Sequence, residues 1–391
     1  MPRYDPFDHD LQSDPWPTYE WLREERPLYH AEDLGFHALS RHADVDAAYR
    51  DTALFSSSHG VTLEQWGPDA HRFSSFLAMD PPRHTGMRAL VSAGFTPRRV
   101  REMEPVVRRL AVRHLDAALA GGGTFDLIGD YAAKVPVDVI STMIGVPAAD
   151  RPRIRTWSER LLERPDGVRG VPGSMREANR ALAGYYADLV RERRREPADD
   201  LASALIHAEA GGAALTDRDI VPVLMLLGVA GNETTAKLVG NAWHAAWRDP
   251  GQREAAWDGG VAGWVEETLR WDGPGQMSAR LLTADTVFHG VTVPAGSRVL
   301  LLVGAANRDP RVFADPGRFD IGRDTGDAVP FAVGPHFCLG AGLARLEARV
   351  MLEELTARVR PGYEIDLRAA RRAYNPNVHG FATLPTTVGL R

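Results

Sequence analysis

The chain has 391 residues, 46 of them basic and 52 acidic, a formal net charge of −6 and a single cysteine. The mildly acidic balance argues against nucleic acid as the main partner, and one cysteine rules out an internal disulfide and suits a reducing compartment. No composition break or long linker divides the chain, so residues 1–391 read as one domain, large enough to enclose a sizeable cofactor.

The polar start, Met1 to Asp10, shows neither a leader nor an anchor pattern. The longest apolar run, Val221 to Ala230, is about half the ~20 residues a spanning helix needs. The expectation is a cytoplasmic protein without a membrane partner. Short extended segments at Pro27–His30 and Gly35–Leu39 predict a hairpin. Apolar spacing of helical period follows over 97–120, 176–196, 216–247 and 260–271. Thr216 and Asp219 mark the start of the third of these as a capping box, and Pro222 predicts either a late start or a kink. A second hairpin is expected from Thr286–Val293 and Ser297–Val303 about a turn at 294–296. The pattern is mainly α with a small β region.

Cys338 lies in Phe331-Ala-Val-Gly334-Pro-His336-Phe-Cys338-Leu-Gly340, directly before the helical run Leu343–Leu355. A helix N-terminus supplies unpaired N–H groups and the positive end of the dipole, the setting a thiolate needs. Gly334 and Gly340 allow the backbone to fold closely around the sulfur. One thiolate alone builds neither a tetrahedral zinc site nor a four-thiolate cluster, whereas a haem iron accepts a single axial thiolate. The plain alternative is an inert buried cysteine, a common fate for this residue type.

On Phe331, Gly334, His336, Cys338 and Gly340 the chain resembles the cytochrome P-450 superfamily of haem-thiolate monooxygenases. It departs at Ala332, where glycine is common, and carries Pro335 within the loop. The resemblance implies the triangular P-450 fold over nearly the whole chain, haem b as cofactor and Cys338 as its axial iron ligand. Ala230-Gly231-Asn-Glu233-Thr234 then becomes the oxygen-activation segment. Gly231 leaves room for a planar cofactor, and Thr234 can bond the Ala230 carbonyl and open the helix locally. Glu233 and Thr234 are implied as an acid–alcohol pair that relays protons.

The resemblance also implies a buried brace of Glu267, Arg270 and Arg318, the last from Pro316-Gly-Arg318-Phe319, behind the cysteine loop. Exposed pairs at this spacing are otherwise common and weak. His84, Arg88, Arg280 and His336 are implied as partners of the haem propionates. Taken singly, each reads as a solvated cation.

For the substrate, the resemblance carries over only segments: 61–78, 164–174, the helix face at Ala230, residues 276–277 and the loop near Phe381. Trp66, Phe73, Gln276, Met277 and Phe381 are the named pocket candidates, although aromatic and Met residues are more often plain core. A medium-sized, largely apolar molecule is expected, with natural-product tailoring as the setting. No flavin or iron–sulfur segment is present, so electrons from NAD(P)H are expected through ferredoxin reductase and ferredoxin, docking near Arg98, Arg99 and Arg345. The leading expectation is a monooxygenase that hydroxylates or epoxidises. A peroxide-driven peroxygenase and a non-catalytic haem-based ligand-binding module are the alternatives.

Overall fold

The computed structural model describes residues 3–162, 165, 170–210 and 213–391. Its centre is one helix, Asp217–Arg248, 32 residues long and therefore about 48 Å from end to end. The capping box at Thr216 and Asp219 is formed, and the helix runs unbroken through Pro222. The late start does not occur. The proline leaves the Arg218 carbonyl without its usual partner, one turn from the helix start, where that loss is small. Residues 235–246 of this helix are buried on every side, as expected of a helix that passes through a core. Trp264 Nε1 donates to the Ala242 carbonyl at 2.8 Å and Tyr363 Oη to that of Trp243 at 2.6 Å.

The first hairpin forms as expected, Leu28–Ala31 against Phe36–Leu39, turned by Gly35 in the left-handed region at φ 66°. The second differs. Thr286–Phe288 pairs with Val291–Val293 about His289 and Gly290, both at positive φ. Arg298–Leu302 instead pairs antiparallel with Met277–Leu282 and parallel with Phe36–Leu39. The 286–293 ribbon is thus an excursion within a longer hairpin, and 294–296 leads back into the sheet. The apolar face Val299–Leu302, buried throughout, fits the centre of a sheet and not an edge ribbon. The sheet order is Leu28–Ala31, Phe36–Leu39, Arg298–Leu302, Met277–Leu282, Phe55–Ser56.

The helix that follows the cysteine loop, Ala341–Arg358, packs between Pro97–Leu119 and the long helix. Its outer face is tied by Arg108, which reaches Glu104, Glu353 and Glu354 within 3.0 Å. Among the described residues no helix is long and apolar enough to cross a membrane. The fold is mainly α with small sheets, as the patterning predicts.

Candidate active site

The cysteine loop is a tight backbone construction. Cys338 N donates to Phe331 O at 2.9 Å and Phe337 N to Gly334 O at 3.0 Å. Gly334 has φ 72°, and a Cβ there would stand 2.8 Å from the Tyr49 carbonyl oxygen. Ala332 also sits in the left-handed region, at φ 57°, which accounts for the glycine common at this place in the family and costs this chain about 1 kcal/mol. Backbone N–H groups of Gly340 and Ala341 point at the sulfur. Burial nonetheless pushes the thiol pKa up, against the pull of those N–H groups and of Arg88 and Arg345. A cation at the sulfur favours the thiolate.

That sulfur opens into a cavity of about 390 Å³ between the cysteine loop and the long helix. Phe331, Gly340, Leu343 and Glu347 line it from the cysteine side, and Leu226, Leu227, Ala230, Gly231, Thr234 and Thr235 from the long helix. A Cβ built on Gly231 or Gly340 meets nothing within 4 Å, so both glycines border open space. The Thr234 hydroxyl donates to the Ala230 carbonyl at 3.0 Å.

Basic groups converge on this cavity. Arg88, Arg280 and His336 line it, and the His84 and His336 rings lie 4.0 Å apart. Arg280 is 3% exposed and among the described residues donates to Ser278 Oγ and the Ala279 carbonyl; desolvation lowers its pKa. Burial, with Arg280, His84 and Arg88 nearby, pushes His336 down to about 3, against the pull of the Met79 backbone, and among the described residues neither ring nitrogen of His84 has a hydrogen-bond partner. Asp80, held by Ser57 N, is the acid that acts on His84 and Arg280. Buried donors left open beside a cation cluster call for an anion. A flat metal-bearing group with acidic side arms, bound at Cys338, fits the residues present; haem is such a group.

Glu233 does not line this cavity. It faces a second one of about 310 Å³, with Asn232, Arg155 and Arg372, and lies 3.6 Å from Lys237. The expected acid–alcohol pair is split between two spaces because adjacent helix residues point about 100° apart.

The brace is present with one change of member. Arg270 holds Glu267 through two 2.7 Å hydrogen bonds and donates to the carbonyls of Asn307, Pro316 and Arg318. Asn307 Oδ1 in turn accepts from Val329 N at 2.8 Å, two residues before Phe331. The second cation, and third member, is Arg323, 3.2 Å from Glu267 Oε1. Arg318 is exposed and contributes only its backbone oxygen, because the turn from Asp315 to Arg318 directs that carbonyl inward.

Of the named pocket candidates Met277 alone lines the cavity. Gln276 is buried beside a separate small cavity and donates to Gly273 O. Trp66 is covered by the Arg298 guanidinium at 4.7 Å, and Phe73 is 53% exposed. Phe381 is core, packed on Arg372 and His244. Residues 164 and 166–169 of the expected stretch lie outside the described residues. The expected segment 61–78 contributes Val61, Phe76 and Leu77 to the apolar wall, joined by Ile140, Leu226 and Leu227. The last two stand one helical turn before Ala230 and Gly231, a spacing that could have found them.

These features define a mainly helical protein built around a haem-thiolate cavity. The cytochrome P-450 family model matches residues 262–358. Putative cytochrome P-450 123 of Mycobacterium tuberculosis is 48% identical, over 99% of this chain and 97% of its own length. Vitamin D(3) 25-hydroxylase of Pseudonocardia autotrophica is 37% identical over 100% of this chain and 97% of its own. The solved structure of CYP109Q5 from Chondromyces apiculatus superposes with TM-score 0.89 at 34% identity, covering 99% and 98% of the two chains. The chain belongs to the cytochrome P-450 family, and as such is a haem-dependent monooxygenase.

Proposed function

We propose that this monooxygenase oxygenates a medium-sized, largely apolar organic molecule by hydroxylation or epoxidation, using electrons from NAD(P)H passed through ferredoxin reductase and ferredoxin. The observation that carries this reading is a single cavity bounded by Cys338, by Thr234 and by the Arg88, Arg280 and His336 cluster, with a largely apolar wall. A relative named for vitamin D(3) hydroxylation supports an apolar substrate. Residues 1–391 act as one domain in the cytoplasm.

Haem, when bound, supplies the activation of O₂. Cys338 would hold its iron, and Arg88, Arg280, His84 and His336 would donate to its propionates. Val61, Phe76, Leu77, Leu226, Leu227 and Met277 orient the substrate by contact and keep water from it. The Thr234 hydroxyl, resting on the Ala230 carbonyl, turns into the cavity to donate a hydrogen bond. Glu233 brings protons from the second chamber.

The redox partner meets the cysteine face. Arg98 and Arg99 share Glu102 there, and Arg345 holds Glu266 at 2.6 Å, each remaining at least one-third exposed. Replacing Arg98 and Arg99 by Glu should slow reduction by an acidic ferredoxin at low salt, and unchanged rates would remove them from the interface. The reading as a whole is tested by reconstituted turnover with NADH, reductase and ferredoxin on a panel of apolar compounds. Product formed from peroxide alone, with none from the redox chain, would favour a peroxygenase.

A further inference from the structure

The chamber that Glu233 faces is a space in its own right, since no residue lines both it and the cavity at Cys338. The long helix turns Thr234 and Thr235 to the cysteine side and Asn232, Ala236 and Lys237 to the other. The helix Lys134–Ile144 likewise gives Pro136 and Ile140 to the first cavity and Val137 to the second. The second chamber is completed by Arg155 and Ser158 of the helix Arg151–Leu162 and by Arg372 and Ala382 of a short ribbon. Its volume of about 310 Å³ is about ten times the ~30 Å³ share of one liquid water, enough for a short organic chain.

Three cations line this chamber, Arg155, Lys237 and Arg372, against two acids, Glu159 and Glu233. Lys237 lies 3.6 Å from Glu233, an ion pair longer than a hydrogen bond. Among the described residues Arg155 and Arg372 have no ion pair, and Arg155 Nε and Arg372 Nη1 have no hydrogen-bond partner. Desolvation lowers the Arg372 pKa, and Asp272, the carboxylate that acts on it most, is held by His379 at 3.2 Å. Ser158 is 2% exposed and Asn232 5%, and Ser158 Oγ and Asn232 Oδ1 also lack partners. Guanidinium groups withdrawn from water without a counter-charge oppose folding, and an anion beside them removes that cost. Ile128, Ala133, Val137 and Ala236 make the rest of the lining largely apolar.

We propose that this chamber is a second ligand site, and that it takes a small organic monocarboxylate. The carboxylate accepts hydrogen bonds from Arg155 and Arg372, with the Ser158 hydroxyl as a further donor. The short apolar body lies on Ile128, Ala133, Val137 and Ala236. One surplus positive charge matches one carboxylate, whereas a dianion such as phosphate meets Glu159 and Glu233 and leaves the apolar lining uncovered. The chamber is formed by the polypeptide alone and does not rest on the haem-thiolate reading.

The test titrates hexanoate into haem-loaded protein whose first cavity is blocked by an iron-ligating azole, and follows the heat released. A single equivalent of hexanoate should bind with the azole present or absent. Hexanamide, of the same shape without the charge, should bind at least about 10-fold more weakly. Arg155→Met and Arg372→Met should each weaken hexanoate by about 10-fold or more. Arg153→Met, on the exposed face of the same helix as Arg155, should leave it unchanged. Arg155 makes no ion pair and carries the test if Arg372→Met fails to fold. Hexanoate excluded by the azole, equal affinity for hexanamide, or indifference to Arg155→Met overturns the proposal. The Soret shift produced by the azole scores the haem site separately, so failure of that site and failure of this one are told apart.

Discussion

Glu233 and Thr234 are neighbours in sequence yet face different cavities, Thr234 toward Cys338 and Glu233 toward Lys237 and Arg372. The roles proposed for them therefore fall at different stages, and their variants should differ in kind. Thr234→Ala should leave reductant consumption near the wild-type rate while releasing peroxide, with product per reductant falling about tenfold. Glu233→Gln should slow consumption itself, by about 10- to 100-fold. Simultaneous measurement of NADH, peroxide and product separates them; identical behaviour would contradict the split.

The brace predicts a second contrast. Glu267 is fully buried and receives Arg270, Arg323 and Asp320 N. Arg323→Ala leaves part of that charge unmatched and should cost about 1–3 kcal/mol, with weaker haem retention. Arg318→Ala, an exposed side chain, should stay within about 0.5 kcal/mol. Thermal denaturation of the two variants side by side decides it.

Ala332 occupies a left-handed conformation within the cysteine loop. Ala332→Gly relieves about 1 kcal/mol of backbone strain but adds freedom to the unfolded chain, for a net gain of at most about 0.6 kcal/mol. Two glycines of the long helix behave oppositely. A Cβ at Gly228 would meet the Tyr186 hydroxyl at 2.1 Å, whereas at Gly231 it meets open cavity. Gly228→Ala should destabilise the haem-free protein, and Gly231→Ala should stabilise it by about 0.5–1 kcal/mol. Denaturant midpoints report both.

His244 is buried against Phe381 and Trp247, and desolvation, with Arg372 near, lowers it to about 4. Between its ordinary value of 6.5 and about 4 the unfolded chain binds a proton that the folded one refuses. Its contribution is therefore present above pH 6.5 and lost as pH falls toward 4, by at most about 3 kcal/mol. His244→Gln should flatten the stability–pH curve over that window; an unchanged slope would assign the loss to other groups.

Much of this fold and site is legible in the residues because period and spacing act locally. The long helix, its capping box, the first hairpin and the cysteine loop depend on neighbours within about ten positions. The failures are non-local. Arg298–Leu302 reads as half of a ribbon until the sheet between Phe36–Leu39 and Met277–Leu282 claims it. Arg318 and Arg323 are equivalent as letters, and only the turn at Asp315 decides which guanidinium reaches Glu267. Trp66 and Phe381 have the chemistry of a pocket wall, but Arg298 and Arg372 cover them. Glu347 is flanked by apolar Leu343, Val350 and Met351 at i−4, i+3 and i+4, a local signal of its burial.

The central claim is that Cys338 ligates haem iron as a thiolate, and the absorption spectrum of the reduced, carbon monoxide-bound protein tests it most directly. The account predicts a Soret band at the red-shifted position that gives the family its name, moved to the position of a neutral ligand by Cys338→Ser. A wild-type band already at that neutral-ligand position, or one that Cys338→Ser leaves unchanged, would contradict it.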